Sequence, residues 1–446
     1  MSRTTTATLL ALALGCALPL GGRARAESAE PAPSTPLESM EAEIEELKRR
    51  LEILTEEVRK SKEEETIPEI AELKSEYGLA PSASKVYTRE PGLSIGGYGE
   101  FNLKKEVGDK SGNDDVFDFV RLVTYLGYKF NEKLLVNSEI EIEHASTGED
   151  GEVALEFAYL DYLFNPMANF RAGLLLVPVG IINEMHEPPF FHGNDRPAVE
   201  RQIIPTTWRA NGFGMFGEII PGLRYRTYGV TSMVADEFTS ENLRGGRQDG
   251  SEERAENFSW VGRLDYNPLP GLDVSTSAYV GNQGQDETIV TARDPVTGDP
   301  LATGSPSAFM QMYEGHVQWF YRGWEFRALA VFVDLDDAGL LSVNAQETIG
   351  NQMLGYYFEL AYDVMPLISE GTDQYLAPWF RYEKYDTQYG VPSGFTADGN
   401  DDRQAFEVGL DYKPIPRVVL KLDYRNEQAD QGSRPDVVRI GAGFVF

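Results

Sequence analysis

After Gly92 the chain repeats one pattern to its end: apolar or aromatic residues at every second position, with polar, charged or small residues between them. Leu420, Leu422 and Tyr424 alternate with Val419, Lys421, Asp423 and Arg425. Phe258, Trp260, Leu264 and Tyr266 alternate with Ser259, Val261, Arg263 and Asp265, and Ile140 and Ile142 with Glu139, Glu141 and Glu143. A period of two puts each row on one face of a β-strand. Sixteen such strands are predicted, over 93–104, 116–130, 134–146, 152–164, 170–180, 209–220, 223–234, 257–267, 272–282, 308–320, 324–335, 349–363, 375–385, 403–413, 417–427 and 435–446.

Soluble sandwiches also alternate, so the connections decide. Tight turns (131–133, Pro221-Gly222, Pro270-Gly271, 321–323, 414–416) alternate with long polar loops (236–256, 283–307, 386–402). The connection 365–374 is longer than its short-turn position asks. Short connections at one end and long ones at the other belong to outer-membrane barrels. In lipid only a closed barrel satisfies every backbone group of a β-structure, and sixteen strands enclose an aqueous lumen. The fold class read from the sequence is therefore all-β: a 16-stranded antiparallel transmembrane β-barrel, preceded by a short N-terminal α-helical coiled coil. Residues 93–446 form the barrel.

The N-terminus carries an address. Arg3, the apolar run 9–20 and Ala24-Arg25-Ala26 make residues 1–26 a secretory signal peptide. Cys16 is the sole cysteine, so the mature chain has neither disulfides nor thiolate metal sites. Residues 27–36 form an acidic spacer. Residues 37–65 carry a heptad seam of Leu37, Met40, Ile44, Leu47, Leu51, Leu54 and Val58, a coiled coil whose narrow apolar stripe asks for self-association. The seam leaves two and three strands open. Residues 66–92 read as a linker.

Within the barrel, 181–208 interrupts the strands. It is long and proline-rich, yet holds Phe190, Phe191, Ile203, Ile204 and Trp208. Such a loop has enough apolar surface to fold inward and constrict the pore. Its polar residues are His186, Glu187, Asp195, Arg196, Glu200 and Arg201, with Trp208 and Arg209 at its end. His186 and His192 lack metal-ligand spacing and read as solvated, so no metal is expected. The water-facing row of the strands holds Arg121, Arg171, Arg224, Arg226, Arg263, Arg327, Arg381, Lys421, Arg425 and Arg439, opposed by Glu139, Glu141 and Glu143. Charges facing lipid are costly, so these residues line the pore. Rings of arginine favour anions, although the formal net charge is -31 and many acids sit in the loops. No catalytic motif stands in its structural context, so no enzyme, catalytic residue or cofactor is expected.

The runs Pro178-Val179-Gly180, His186-Glu187-Pro188-Pro189, Ile203-Ile204-Pro205-Thr206-Thr207-Trp208-Arg209 and the opening Gly96-Gly97-Tyr98-Gly99-Glu100-Phe101, with a terminal Phe446, together resemble the phosphate-selective porin superfamily of bacterial outer membranes. A coiled coil ahead of the barrel is similar to the dicarboxylate-type porins of that group. The resemblance implies a homotrimer whose third outer loop folds into each pore and passes small anions such as phosphate or carboxylates by passive diffusion. It also implies assembly through the barrel assembly machinery reading Phe446, contact with outer-membrane lipids and lipopolysaccharide, and a periplasmic N-terminal helix in a Gram-negative cell. No nucleic-acid partner is expected. One departure stands: 181–208 has no lysine and more acids than arginines. An envelope-spacing or tethering protein with an incidental pore is the competing reading.

Overall fold

The computed structural model describes residues 44, 47–50, 75–108, 115–146, 151–369, 371–432 and 434–446. The expected signal peptide, the spacer and most of the heptad segment lie outside the described residues; Ile44 and Leu47 of the seam are helical and exposed. The chain divides into two compact units, Met1–Lys60 and Ser61–Phe446, and the second holds every described strand.

Its strands are β1 (Gly92–Val107), β2 (Val116–Lys129), β3 (Leu134–Glu143), β4 (Val153–Asn165), β5 (Ala168–Leu176), β6 (Arg209–Ile220), β7 (Leu223–Thr231), β8 (Phe258–Leu269), β9 (Leu272–Asn282), β10 (Ile289–Arg293), β11 (Pro300–Gly304), β12 (Phe309–Tyr321), β13 (Trp324–Leu335), β14 (Gln352–Tyr362), β15 (Tyr375–Gly390), β16 (Asp402–Ile415), β17 (Val418–Ala429) and β18 (Asp436–Val445). Sixteen of them, all but β10 and β11, close into one antiparallel barrel in which consecutive barrel strands pair, β9 with β12 across the β10–β11 hairpin, and β1 pairs with β18. Phe446 and Gly97 exchange both backbone hydrogen bonds, at 2.9 and 3.1 Å, so the last residue seals the seam. The expected fold class stands for the barrel.

The pattern explains the wall. Along β17, Leu420, Leu422 and Tyr424 are exposed while Val419, Lys421, Asp423 and Arg425 are buried. The exposed row is the apolar and aromatic one, the arrangement a barrel wall has where it meets lipid. At the short-turn end, Gly222 and Gly271 take φ of +82° and +73°, which lets the backbone reverse within a Pro-Gly pair.

Four expectations need correction. β5 stops at Leu176 rather than 180, because Val177 donates to the Trp208 carbonyl (3.0 Å) and the chain leaves the wall. The loop 283–307 is not simply polar coil. It contains the hairpin β10–β11, which rests on a helix (Ala338–Ala345) through Arg293 donating to the Val343 and Asn344 carbonyls at 2.9 and 3.2 Å. The long connection 365–374 holds a turn of helix (Met365–Ile368) whose first N–H is capped by Asp363 (3.0 Å). Finally, 66–92 is not a free linker over its described part. Residues 75–80 and a helix, here α1 (Pro81–Thr88), are packed against the inner faces of β1, β2 and β3 with Leu79, Ala83 and Val86 buried. The sequence shows little apolar content there; burial comes from small residues that let the backbone approach the wall.

Candidate functional site: a filled lumen

The segment 177–208 between β5 and β6 hydrogen-bonds to strands around most of the barrel, which only a chain inside the lumen reaches. Its base is tied by Asn183, whose amide donates to the carbonyls of Val177 (2.7 Å) and Trp208 (2.8 Å) and accepts from the Trp208 N–H (2.7 Å). Its shape is set by Glu200. One oxygen of that carboxylate accepts the N–H groups of Ile181 and Ile182 at 2.8 and 2.7 Å, and the other accepts the Tyr357 hydroxyl of β14 at 2.6 Å. Burial raises the Glu200 carboxyl above its usual range, and the Tyr357 and Ile182 donors pull it back down. Val177, Val179, Ile181, Ile182, Val199, Ile203, Ile204 and Trp208 are buried, and Trp208 lies 4.6 Å from the Tyr279 ring. The loop is therefore a packed body with its own apolar core.

The wall charges hold this body in place. Glu184 pairs with Arg226 (2.6 Å), and Gly180 accepts from Arg263. Glu187 accepts the N–H groups of Ser82 and Ala83 at 2.9 and 3.1 Å, joining the loop to α1. Burial pushes the Glu187 carboxyl up to about 8. Lys421 donates to the Phe191 and Gly193 carbonyls, Asn194 to Asp423, and Asp195 pairs with Arg439 at 2.5 Å. Arg439, Arg201 and Arg425 hold the Asp195 carboxyl low against the effect of burial. Arg209 pairs with Glu156 at 2.7 Å.

Both loop histidines are buried, which corrects their reading as solvated. His186 Nε2 meets Glu139 at 3.1 Å and its Nδ1 meets the Asn183 carbonyl; burial, with Arg196 nearby, takes the imidazole down to about 4. His192 sits between Asp411 (2.8 Å) and Glu325 (3.2 Å). Burial opposes its charge, but Glu359, Asp411 and Glu325 hold its imidazole above the usual value. The charges lay in sequence view; their partners, on strands tens to hundreds of residues away, did not.

The water-facing row predicted to line an open pore is largely consumed by such pairs. Arg327, Glu359, Arg381, Glu407 and Arg425 occupy directly opposed positions on β13, β14, β15, β16 and β17. They form an unbroken ladder of alternating sign: Arg327–Glu359 2.6 Å, Glu359–Arg381 2.6 Å, Arg381–Glu407 3.1 Å and Glu407–Arg425 3.3 Å. Arg171 is paired with Asp161 (2.8 Å) and stacks on Tyr159; Arg121 is paired with Glu100 (2.9 Å) and Glu141 (2.7 Å), with Glu143 at 3.5 Å. Arg226 and Arg263 share Asp265. Of the ten cations, Arg224 keeps the most exposure, beside Asn267 and Asp273. The sequence reading gave these cations to pore water; the structure gives them to carboxylates and loop carbonyls.

Asp265, Asp273 and His316 bring ligand-type atoms within 4.8 Å of one another. Arg226 and Arg263 already take up Asp265, and His316 is held between Arg263 (3.2 Å) and Glu314 (2.6 Å). That charge balance does not fit a bound cation.

At the long-loop end a different cluster appears. Arg196 and Arg201 of the lumen loop, with Lys104, Arg425, Arg434 and Arg439, line a cavity of about 140 Å³ whose acids are Glu106, Asp195 and Glu427. Arg244 and Arg247, from the loop between β7 and β8, approach the same loop arginines. Burial together with Arg247, Arg196 and Arg201 pushes the Arg244 guanidinium down to about 9, still charged at neutral pH. Among the described residues no hydrogen bond or ion pair reaches the guanidinium of Arg196, Arg201 or Arg244, and Nη2 of Arg196 is buried without a partner. Arg244 and Arg247 were missed from sequence because their loop is acidic overall.

No protein-family model matches the chain. An uncharacterized protein of Aquifex aeolicus (strain VF5) is 38% identical over 386 residues, 83% of this chain and 83% of that one. Among solved structures, the anion-selective porin from Comamonas acidovorans aligns over 80% of this chain and 100% of its own at 12% identity and a TM-score of 0.51. OmpF of Salmonella typhi, in complex with daunomycin, gives 12%, 80% and 98%, with a TM-score of 0.51. The outer membrane channel DcaP of Acinetobacter baumannii gives 13%, 80% and 98%, with 0.50. These likenesses establish a porin-like fold.

Proposed function

We propose that this chain, which belongs to one family with the Aquifex aeolicus protein, is an outer-membrane porin that passes small hydrophilic anions by passive diffusion. One observation carries the anion preference: Arg196 and Arg201 line the cavity at the long-loop mouth with Arg244 near them, and among the described residues no hydrogen bond or ion pair reaches these three guanidiniums. An unpaired guanidinium in a narrow, low-dielectric mouth concentrates anions and offers two parallel hydrogen bonds to a carboxylate or phosphate. A paired arginine does neither. The preference thus comes from the loops rather than from the wall cations, and phosphate and carboxylates stand equally as solutes.

The remaining parts of the reading are consistent with this role. Residues 1–26 would direct export, 37–65 would associate as a periplasmic coiled coil, and the barrel would sit in the outer membrane as a homotrimer facing lipopolysaccharide. Phe446 would be the residue read by the barrel assembly machinery. An enzyme reading gains no support from a lumen whose acids and histidines are spent on structural pairs.

The test is the reversal potential of the purified protein in a planar bilayer under a potassium chloride gradient. The expected result is anion preference, lost in the triple variant Arg196→Ala/Arg201→Ala/Arg244→Ala. Cation preference in the unaltered protein, or a triple variant with unaltered selectivity, refutes the reading.

A further inference from the structure

We infer that residues 75–88 are a plug supplied by the chain itself: they occupy the short-turn mouth of the lumen, and conduction requires them to leave it. The inference rests on the pore reading above.

The segment enters the barrel and touches one half of its wall. The Ala83 carbonyl accepts from Asn137 of β3 (2.8 Å), and Tyr87 donates to Asp161 of β4 (2.7 Å) and accepts from Arg171 of β5 (2.7 Å). Val86 lies against Gly127 of β2, Ser82 against Gly96 of β1, and Tyr77 edge-on to Phe216 of β6. On its inner side Ala80 donates to the Glu184 carbonyl (3.2 Å), and Glu187 receives Ser82 and Ala83. The opposite half of the mouth is covered by the tip of the lumen loop, where His192 meets Glu325 at the start of β13 and Asp411 near the end of β16. The two bodies meet at Glu184 and Glu187.

The plug adds no strand to the barrel. Its one β-bridge, Glu76 to Leu79, is internal. Withdrawal therefore breaks the plug's own contacts, the Ala80–Glu184 backbone bond among them, while every strand pair of the barrel stays formed, which makes it a local opening rather than an unfolding step.

A cross-link tests this. Apart from Cys16 the chain has no cysteine. A Cβ built at Gly127 lies 2.8 Å from the Val86 Cβ, so a disulfide in Val86→Cys/Gly127→Cys needs the two to part to about 3.5–4.5 Å. Folding of each variant is checked by heat-modifiable migration, and cross-linking by mass. Expected: the reduced double variant conducts in a planar bilayer, oxidation lowers its conductance more than about tenfold, the equivalent of 1.4 kcal/mol against opening, and reductant restores it. A variant lacking 75–88 conducts whether oxidised or reduced. Unchanged conductance in the fully cross-linked protein overturns the plug while leaving the pore. Absence of conductance in every form, the deletion included, overturns the pore reading and the plug with it.

Discussion

Replacing Arg381 with methionine removes the centre of the charge ladder at nearly constant length. Arg381 is 1% exposed and spends its whole guanidinium: Nε and Nη2 on Glu359 (2.9 and 2.6 Å), Nη1 on Glu407 (3.1 Å), and Nη2 again on the His192 carbonyl of the lumen loop (2.6 Å). Methionine leaves Glu359 and Glu407 on either side of a neutral rung. Removing one partner of a buried ion pair costs about 3–5 kcal/mol. Arg327 still reaches Glu359 and Arg425 still reaches Glu407, which favours the lower end; the lost charge-assisted bond to His192 adds about 1.5–3 kcal/mol. The expected destabilisation is about 4.5–6 kcal/mol, read as the shift in urea midpoint of the barrel refolded in lipid vesicles. Removing a carboxylate as well, in Arg381→Met/Glu359→Met, should recover at least about 1 kcal/mol relative to simple addition of the two single effects. A single variant within about 0.5 kcal/mol of the unaltered protein refutes the ladder as the structural tie between wall and loop.

Two further outcomes follow from the plug and loop. The Glu187 carboxyl sits near 8 in the fold against an ordinary value of 4.5, so its contribution is fully present below about 4.5 and is lost as pH rises through 8. His186 works in the other direction: held near 4 against 6.5, it contributes above 6.5 and loses that contribution as pH falls through 4. Glu187→Gln should flatten the decline of thermal stability between neutral pH and pH 8 while leaving the acid-side loss; an unchanged alkaline slope refutes the assignment. Gly78 has φ +85°, and a Cβ there would lie 1.5 Å from Nη1 of Arg226. Gly78→Ala should therefore loosen the plug without opening the barrel, seen as faster proteolysis within 75–88 at unchanged heat-modifiable migration; equal protection of both proteins refutes it.

The barrel was legible because a lipid-facing wall demands one repeated pattern. Each strand's outward row must be apolar at every second position, and the Pro-Gly turns mark the ends, so β6, β9 and β13 were placed to the residue. The inward row follows a weaker rule, since water, another strand's charge or an inserted loop all satisfy a charged side chain. Arg381 reads identically in each case. The loop's apolar residues signalled its folding inward, but nothing local distinguished a rim around an open channel from a body reaching the far wall. The plug was less legible still, because Gly78, Ala80, Ser82, Ala83 and Ser84 look like a loose connector. Their small side chains are what let α1 lie against the wall, at Gly96 and Gly127.

Net charge is a poor guide to the selectivity of such a lumen, and the ladder shows why. A wall cation opposed by a carboxylate at a directly paired position contributes little field at a distance, since the two charges sit about 3 Å apart and cancel over a few times that separation. Most of the ten wall cations are held by carboxylates or by loop carbonyls, and Arg224 keeps the most exposure. What a passing ion meets is the residue of charge that no neighbour cancels. On the proposed reading the long-loop mouth adds cationic charge through Arg196 and Arg201 of the lumen loop, even though the chain as a whole carries -31. Two proteins with the same strands and the same composition would then differ in ion preference through two loops alone, the lumen loop and the one after β7. Selectivity in this fold can change by loop substitution without disturbing the pairs that hold the barrel and its contents together.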